Sequence, residues 1–278
     1  MSDSCNVSSS CSTCPSAASC ETAQKPPVDE GNQYSNVKNV IAVMSGKGGV
    51  GKSSVAALLA SHLRKAGYKV GVLDADITGP SIPKMFGTEK KLAGNPDGII
   101  PPKTKSGIKV MSINLFLENE NDPVVWRGPI IGNAIQQFWT DVLWGELDYL
   151  IVDLPPGTGD APLTVMQSLP LKGVVIVSSP QDLAMMVVKK AIKMVQIMDK
   201  PILGLIENMA YVECPDCGKK IYIFGESKAQ ELADELNVSF LGSLPINPDI
   251  SELCDAGKIE DYESDLFKRA VETITKKG

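Results

Sequence analysis

Within SGKGGVGKSS, residues 45–54, Gly46, Gly51, Lys52 and Ser53 fall at the spacing G-x-x-x-x-G-K-[ST]. That spacing handles phosphate. Backbone amides of Gly48, Gly49, Val50, Gly51 and Lys52 converge on a β-phosphate where Ser53 and Ser54 open a helix, whose dipole also favours an anion. Lys52 reaches the β- and γ-phosphates and the Ser53 hydroxyl faces a magnesium ion, so the expected ligand is ATP with Mg2+. Lys47 is left over, because the cradle is complete without it.

Acidic residues follow two apolar runs. LDADITGPS places Asp74 and Asp76 just past one of them, and IVDLPPGTGD places Asp153 at the end of another. A carboxylate at such a strand end holds a magnesium-bound water as a Walker B element does, which is the role expected of Asp153. An aspartate after a strand is also a common turn residue or helix cap. Three of them beside a phosphate loop point instead to the ion and the attacking water. The chain has one histidine, His62, on the helix after the loop, which leaves carboxylates, amines and thiolates as general bases. Asp76 is the candidate for positioning the water, and Asp74 for holding the ion through its water ligands.

The seven cysteines form three groups. In a reducing compartment thiols stay free, and metal or redox work explains them better than disulfides. Cys214-Pro215-Asp216-Cys217 sets two thiolates on one tight turn. A tetrahedral zinc or a cubane cluster needs four, so two copies of the chain would have to share one. A bridging [4Fe–4S] cluster and a bridging zinc both fit that donor set. A thioredoxin-like redox pair does not, since this pair fails to open a thioredoxin-like βαβ unit. Cys5, Cys11, Cys14 and Cys20 read C-x5-C-x2-C-x5-C; such thiolates can fold a flexible segment around a cluster or zinc, or remain free. Cys254, alone, reads as a small buried residue.

Seven apolar runs supply the scaffold for these groups: 40–45, 69–75, 108–114, 148–154, 173–179, 202–208 and 239–245. Near-continuous apolar runs suit parallel strands buried on both faces. Their alternation with helical segments predicts an α/β fold, a doubly wound, mostly parallel sheet. Ser53 to Ala66 carries Val55, Leu58, Leu59 and Leu63 at helical spacing, with Gly67 as its stop. Residues 182–199 predict an amphipathic helix with Asp182 as N-cap and its methionines in the core. The Gly- and Pro-rich section 79–129 is the least regular. Residues 1–34, rich in Ser, Thr, Ala, Cys and Pro, bury too little apolar surface to offset the entropy of ordering. They read as a flexible cysteine-rich tail ahead of an ATPase domain over 35–278.

The chain is long enough, at 278 residues and 43% hydrophobic, to bury a substantial core. Its net charge of −6 argues against a general nucleic-acid surface. No run of about 18 apolar residues offers a membrane span, and the N-terminus lacks the basic start and apolar stretch of a signal peptide. The expectation is a cytoplasmic protein that binds neither nucleic acid nor membrane.

In combination, GKGGVGKSS, DADITGPSIP, WRGP (126–129), DYLIVDLPPGTGDAPLT (148–164), SSPQDLA (178–184), ENM (207–209) and CPDC (214–217) resemble the Mrp/ApbC/Nbp family of iron–sulfur carrier ATPases. The phosphate loop alone is shared with MinD-type and ParA-type ATPases and the nitrogenase iron protein, the deviant Walker A class of P-loop NTPases. The resemblance implies a homodimer, or a pair with a related subunit. It implies that Lys47 reaches the partner's nucleotide much as an arginine finger does, offsetting charge on the transferred phosphoryl group. It also implies that Asn208 bonds the adenine edge beside the Pro245–Pro248 backbone, and that Cys214 and Cys217 bridge a [4Fe–4S] cluster passed to apo-protein clients. Cys11, Cys14 and Cys20 match a cysteine-bearing tail found in Nbp-type scaffolds, whose fourth cysteine lies further upstream than Cys5 does here. The implied function is an ATP-hydrolysing cluster scaffold and carrier. Alternatives are a MinD- or ParA-type positioning ATPase, against which the weakly apolar end FKRAVETITKKG argues, and an ATP-driven electron-transfer protein.

Overall fold

β1 (Asn36–Ser45) alternates: Val40, Ala42 and Met44 join one buried layer, and Ile41 and Val43 the other. Period-two alternation with both faces apolar makes a strand that needs cover on each side. The computed structural model describes residues 31–76, 79, 81–88, 92–116 and 128–277, with backbone alone at 128–129, 182–185 and 277. After β1 come α1 (Lys52–Lys65), β2 (Val70–Asp74), α2 (Ile82–Phe86), the hairpin β3–β4 (Ala93–Asn95, Gly98–Ile100) and β5 (Lys109–Ser112). Then follow α3 (Gly128–Thr140), β6 (Glu146–Asp153), α4 (Asp160–Ser168), β7 (Leu171–Ser178), α5 (Asp182–Ile197) and β8 (Ile202–Glu207). The hairpin β9–β10 (Val212–Glu213, Lys220–Ile221), α6 (Ala229–Glu235), β11 (Phe240–Ser243), α7 (Pro248–Asp255) and α8 (Asp265–Lys277) come last, and short 3-10 helices span Ile113–Phe116 and Ile259–Asp261.

Seven strands form one parallel sheet in the order β11-β8-β7-β1-β6-β2-β5. All seven apolar runs of the sequence are in it. One layer packs α3 to α6 through side chains such as Ile135, Val165, Ile192 and Leu232. The other packs α1, α2 and α8 through Leu59, Phe86 and Phe267. Truncating one such side chain to alanine costs about 2–5 kcal/mol, whereas an exposed pair such as Lys189–Glu235 contributes about 0.2–1 kcal/mol. The two apolar layers therefore fix where the strand ends lie.

Register does the rest. Asp153 pairs with Val43 on one side and with Asp74 on the other, so the ends of β1, β2 and β6 bring the phosphate loop and two acids to one edge, where open α/β sheets bind ligands.

α1 stops as expected, with Gly67 left-handed at φ +95°. The start of α5 is a correction. Gln181, extended at φ −71° and ψ 137°, takes the N-cap place, no side chain caps the helix, and Asp182 is already its first residue. The region between 79 and 129 contains α2, the β3–β4 hairpin and β5. Packing begins ahead of β1, where Asn32 Nδ2 donates to Thr140 O at 2.8 Å. The tail cysteines Cys5, Cys11, Cys14 and Cys20 lie outside the described residues, as do Trp126 and Arg127.

His62 pins α8 to α1. Its Nε2 accepts the Ser264 amide at 3.2 Å, so the proton sits on Nδ1, which donates to Leu58 O at 2.8 Å. Burial holds its pKa below the ordinary value.

Candidate nucleotide site and cysteine turn

The loop between β1 and α1 is shaped by a bond within it, by two left-handed glycines and by a contact with the end of β8. Ser45 Oγ donates to Lys47 O at 2.9 Å and fixes the loop's first turn. Gly49 and Gly51 have φ of +77° and +74°, a left-handed backbone that L side chains rarely adopt. Gly51 also lies against β8's end: an added Cβ would sit 2.2 Å from Asn208 Nδ2. That amide donates to Val50 O at 2.9 Å, so Asn208 ties the loop to the end of β8, two strands away from β1.

Two cavities open on this loop. One, of about 250 Å3, is lined by Gly48, Gly49, Lys52, Ser53, Asp76 and Pro156 among others, at the N-terminus of α1. The other, of about 420 Å3, runs past Asn208 to the segment from Pro245 to Pro248 and to α7. Gly51, Ser54 and Met85 line both. A polar cavity at a helix N-terminus joined to a mainly apolar one has the outline of a nucleotide, phosphates in the first and base in the second.

Asp153 is fully buried, and its Oδ1 lies 2.5 Å from Lys52 Nζ. Its Oδ2 makes no hydrogen bond among the described residues. Burial pushes its carboxyl up, against the pull of Lys52. Asp76 Oδ2 is 4.0 Å from the same ammonium. Asp74, also buried, accepts amides of Asp76 (3.2 Å), Ser81 (3.0 Å) and Ile82 (3.2 Å) and the Ser112 hydroxyl (3.3 Å). Its pKa is pushed up to about 8, first by burial and then by the charge of Asp153. The unpartnered Oδ2 of Asp153, with the Ser53 hydroxyl in the adjoining cavity, fits a small hard cation that keeps waters and phosphate oxygens as its other ligands.

Lys47 stands apart. It is half-buried, does not line the phosphate cavity, and its Nζ donates to Gln181 Oε1 at the start of α5. Sequence reasoning missed Gln181, and it missed Met85, Ser81 and Cys254 as cavity residues. Cys254 lines the larger cavity half-buried, its Sγ 4.0 Å from Ser54 Oγ and its thiol pushed up by burial.

Cys214 and Cys217 occupy the turn of the β9–β10 hairpin. Gly218, at φ +68°, donates its amide to Cys214 O at 2.9 Å, and the Cys214 amide donates to Lys219 O at 3.0 Å. The amides of Cys217 and Asp216 face the Cys214 sulfur and hold its thiol below the ordinary range. Amides aimed at a sulfur in this way favour its thiolate form. Among the described residues no three His, Cys, Asp or Glu side chains gather as a metal site, so one copy offers the turn two donors. Exposed Ile221, Tyr222, Ile223 and Phe224 follow it.

The segment entering that turn is bonded to the larger cavity's wall. Ala210 donates its amide to Leu244 O at 2.9 Å, and Ile246 donates to Tyr211 O at 2.7 Å.

A family profile described as ParA, NUBPL iron-transfer P-loop NTPase, matches residues 36–277. An iron-sulfur cluster carrier protein from Clostridium perfringens is 48% identical, the alignment covering 95% of this chain and 99% of that one. One from Methanocaldococcus jannaschii is 46% identical over 96% of each. The iron-sulfur cluster transfer protein NUBPL of Dictyostelium discoideum is 47% identical over 80% of this chain and 69% of its own. Among solved structures, a nucleotide-binding protein from Archaeoglobus fulgidus in complex with ADP superposes with a TM-score of 0.76 at 52% identity, covering 84% of this chain and 91% of that one. MinD from Pyrococcus horikoshii with Mg-ADP superposes at 0.62 with 20% identity, over 85% and 95%, a likeness of fold.

Proposed function

Because the chain belongs to the family of NUBPL iron-transfer P-loop NTPases, we propose that it binds and slowly hydrolyses ATP and uses the nucleotide to control a [4Fe–4S] cluster delivered to apo-protein clients. The observation that carries this reading is the pair of backbone bonds in which Ala210 N–H donates to Leu244 O and Ile246 N–H donates to Tyr211 O. They join the wall of the base cavity to the stem of the cysteine turn, so a nucleotide seated in one place bears on the other.

In this reading the phosphate loop and Lys52 hold the phosphates, and the base lies between Asn208 and the Pro245–Pro248 segment. Ser53 and Asp153 would hold magnesium, whose charge would offset that developing on the phosphates, with Asp74 behind them. Asp76 positions the attacking water; with a carboxylate alone for that task, turnover is slow. Lys47, bonded to Gln181 and outside its own phosphate cavity, serves the site of a second copy or a related subunit. Cys214 and Cys217 of two copies supply the four thiolates of the cargo cluster. The tail's Cys5, Cys11, Cys14 and Cys20 form a separate cluster site, and the protein works in the cytoplasm.

Anaerobic reconstitution with iron and sulfide tests this. The expected result is about one [4Fe–4S] per two chains at the turn, lost in Cys214→Ala/Cys217→Ala and transferable to an apo-ferredoxin. A preparation that takes up only zinc under strict anaerobiosis overturns it.

A further inference from the structure

Met85 lines both the base cavity and the phosphate cavity. It sits in α2, a helix held at both ends. At its start the amides of Ser81 and Ile82 donate to Asp74 Oδ2, and Oδ1 of the same carboxylate accepts the amide of Asp76. At its far end Gly87 and Gly257 abut backbone to backbone. A Cβ added at Gly87 would lie 2.7 Å from Gly257 O, and one added at Gly257 would lie 2.7 Å from Gly87 Cα. Gly257 follows α7, whose Ile250, Ser251 and Cys254 line the base cavity. No side chain intervenes at that contact, so displacement of α7 is passed to α2 rather than absorbed. Packed elements of this kind shift as units.

We propose that Met85 and α2 couple occupancy of the base cavity to the placement of Asp76. A base seated against α7 and Met85 sets the position of α2; α2 holds Asp74 by two amides; Asp74 holds the backbone of Asp76. The base then contributes to turnover as well as to affinity, and Met85 is a positioning residue for hydrolysis. The inference rests on the ATPase reading above, with Asp76 at the attacking water.

The test compares ATP with inorganic tripolyphosphate, which has no base, on the full-length protein and on Met85→Ala and Met85→Leu, each first shown to unfold at the parent's temperature or near it. A side chain that only walls the cavity changes Kd; one that positions the reacting groups changes kcat. In the parent, saturated turnover of ATP is expected to exceed that of tripolyphosphate by about tenfold, within the usual range of coupling between sites. Met85→Ala should lower ATP kcat by about tenfold, leave ATP Kd within about threefold, and bring the two substrates to similar kcat. Met85→Leu, which keeps the volume, should restore the difference. A Met85→Ala protein whose ATP Kd rises while kcat holds, or whose ATP-to-tripolyphosphate ratio is unchanged, overturns the coupling. A parent chain with no ATP turnover fails at the ATPase reading instead, a different result.

Discussion

Lys52 Nζ lies 2.5 Å from Asp153 Oδ1 and both side chains are buried, so the phosphate-loop lysine acts as counter-ion to the carboxylate proposed to face magnesium. In the proposed Mg-ATP complex the pair would divide, with the lysine going to phosphate and the carboxylate to the ion. Lys52→Ala leaves Asp153 buried without its partner, a change that costs about 3–5 kcal/mol in general. Because burial already pushes the Asp153 carboxyl up, protonation should keep the loss at the low end. Urea unfolding should show that loss, and Mg-ADP should no longer raise the thermal midpoint. A variant as stable as the parent would mean the pair contributes nothing.

Lys47 bonds Gln181 and stays out of its own phosphate cavity, whereas Asp76 lines it. If Lys47 serves a partner's nucleotide, Lys47→Ala chains mixed with Asp76→Asn chains regain up to one working site per mixed pair. Each parent alone should bind ATP and turn over little. Mixed pairs that form, yet hydrolyse no faster than the parents, would place both residues in one subunit's site.

Thiol reactivity should sort the cysteines by environment. Cys214 has its thiol held down by facing amides, while burial pushes that of Cys254 up. The thiolate is the reacting form, so limited iodoacetamide at neutral pH should label Cys214 well before Cys254. ADP should slow Cys254 further, since that residue lines the proposed base cavity. Peptide mass spectrometry reads both rates; equal labelling, or no protection by ADP, would contradict the assignment.

His62 should make stability fall on mild acidification. Its folded pKa is lowered by burial, which outweighs the hydrogen bond to the Leu58 carbonyl; the charges of Lys65 and Lys268 lower it further and that of Glu263 opposes them. Between the ordinary histidine value of about 6.5 and that lower value the unfolded chain binds more protons. Stability from this residue is thus present above pH 6.5 or so and is lost as pH falls, at up to about 1.4 kcal/mol per unit. His62→Gln should reduce the change in urea midpoint between about pH 7 and pH 5.5. An unchanged difference would clear His62 of the effect.

The parts of the molecule legible in the sequence are those whose cause is local. Val40 to Met44 or Val70 to Leu73 are apolar because both faces of their strands are covered, and such runs declare themselves. The phosphate loop is likewise a contiguous motif. The β9–β10 hairpin was not foreseen, since its strands are two residues each and largely exposed, with no apolar run to mark them. Gln181 and Met85 escaped notice for another reason: each matters through groups distant along the chain, Lys47 in one case and α7 in the other. Asp182 misled because its type suits an N-cap, while the end of β7 hands that place to the residue before it.

The cysteine turn offers two sulfurs per copy on an exposed hairpin, one copy bringing no third donor among the described residues. Holding the proposed cargo is then second order in the protein. The fraction of chains that are loaded must rise with their own concentration and fall on dilution, by mass action alone. Abundance would itself be a control on delivery: a crowded pool of the chain keeps its clusters, and a sparse one gives them up to whichever client supplies four ligands in a single fold.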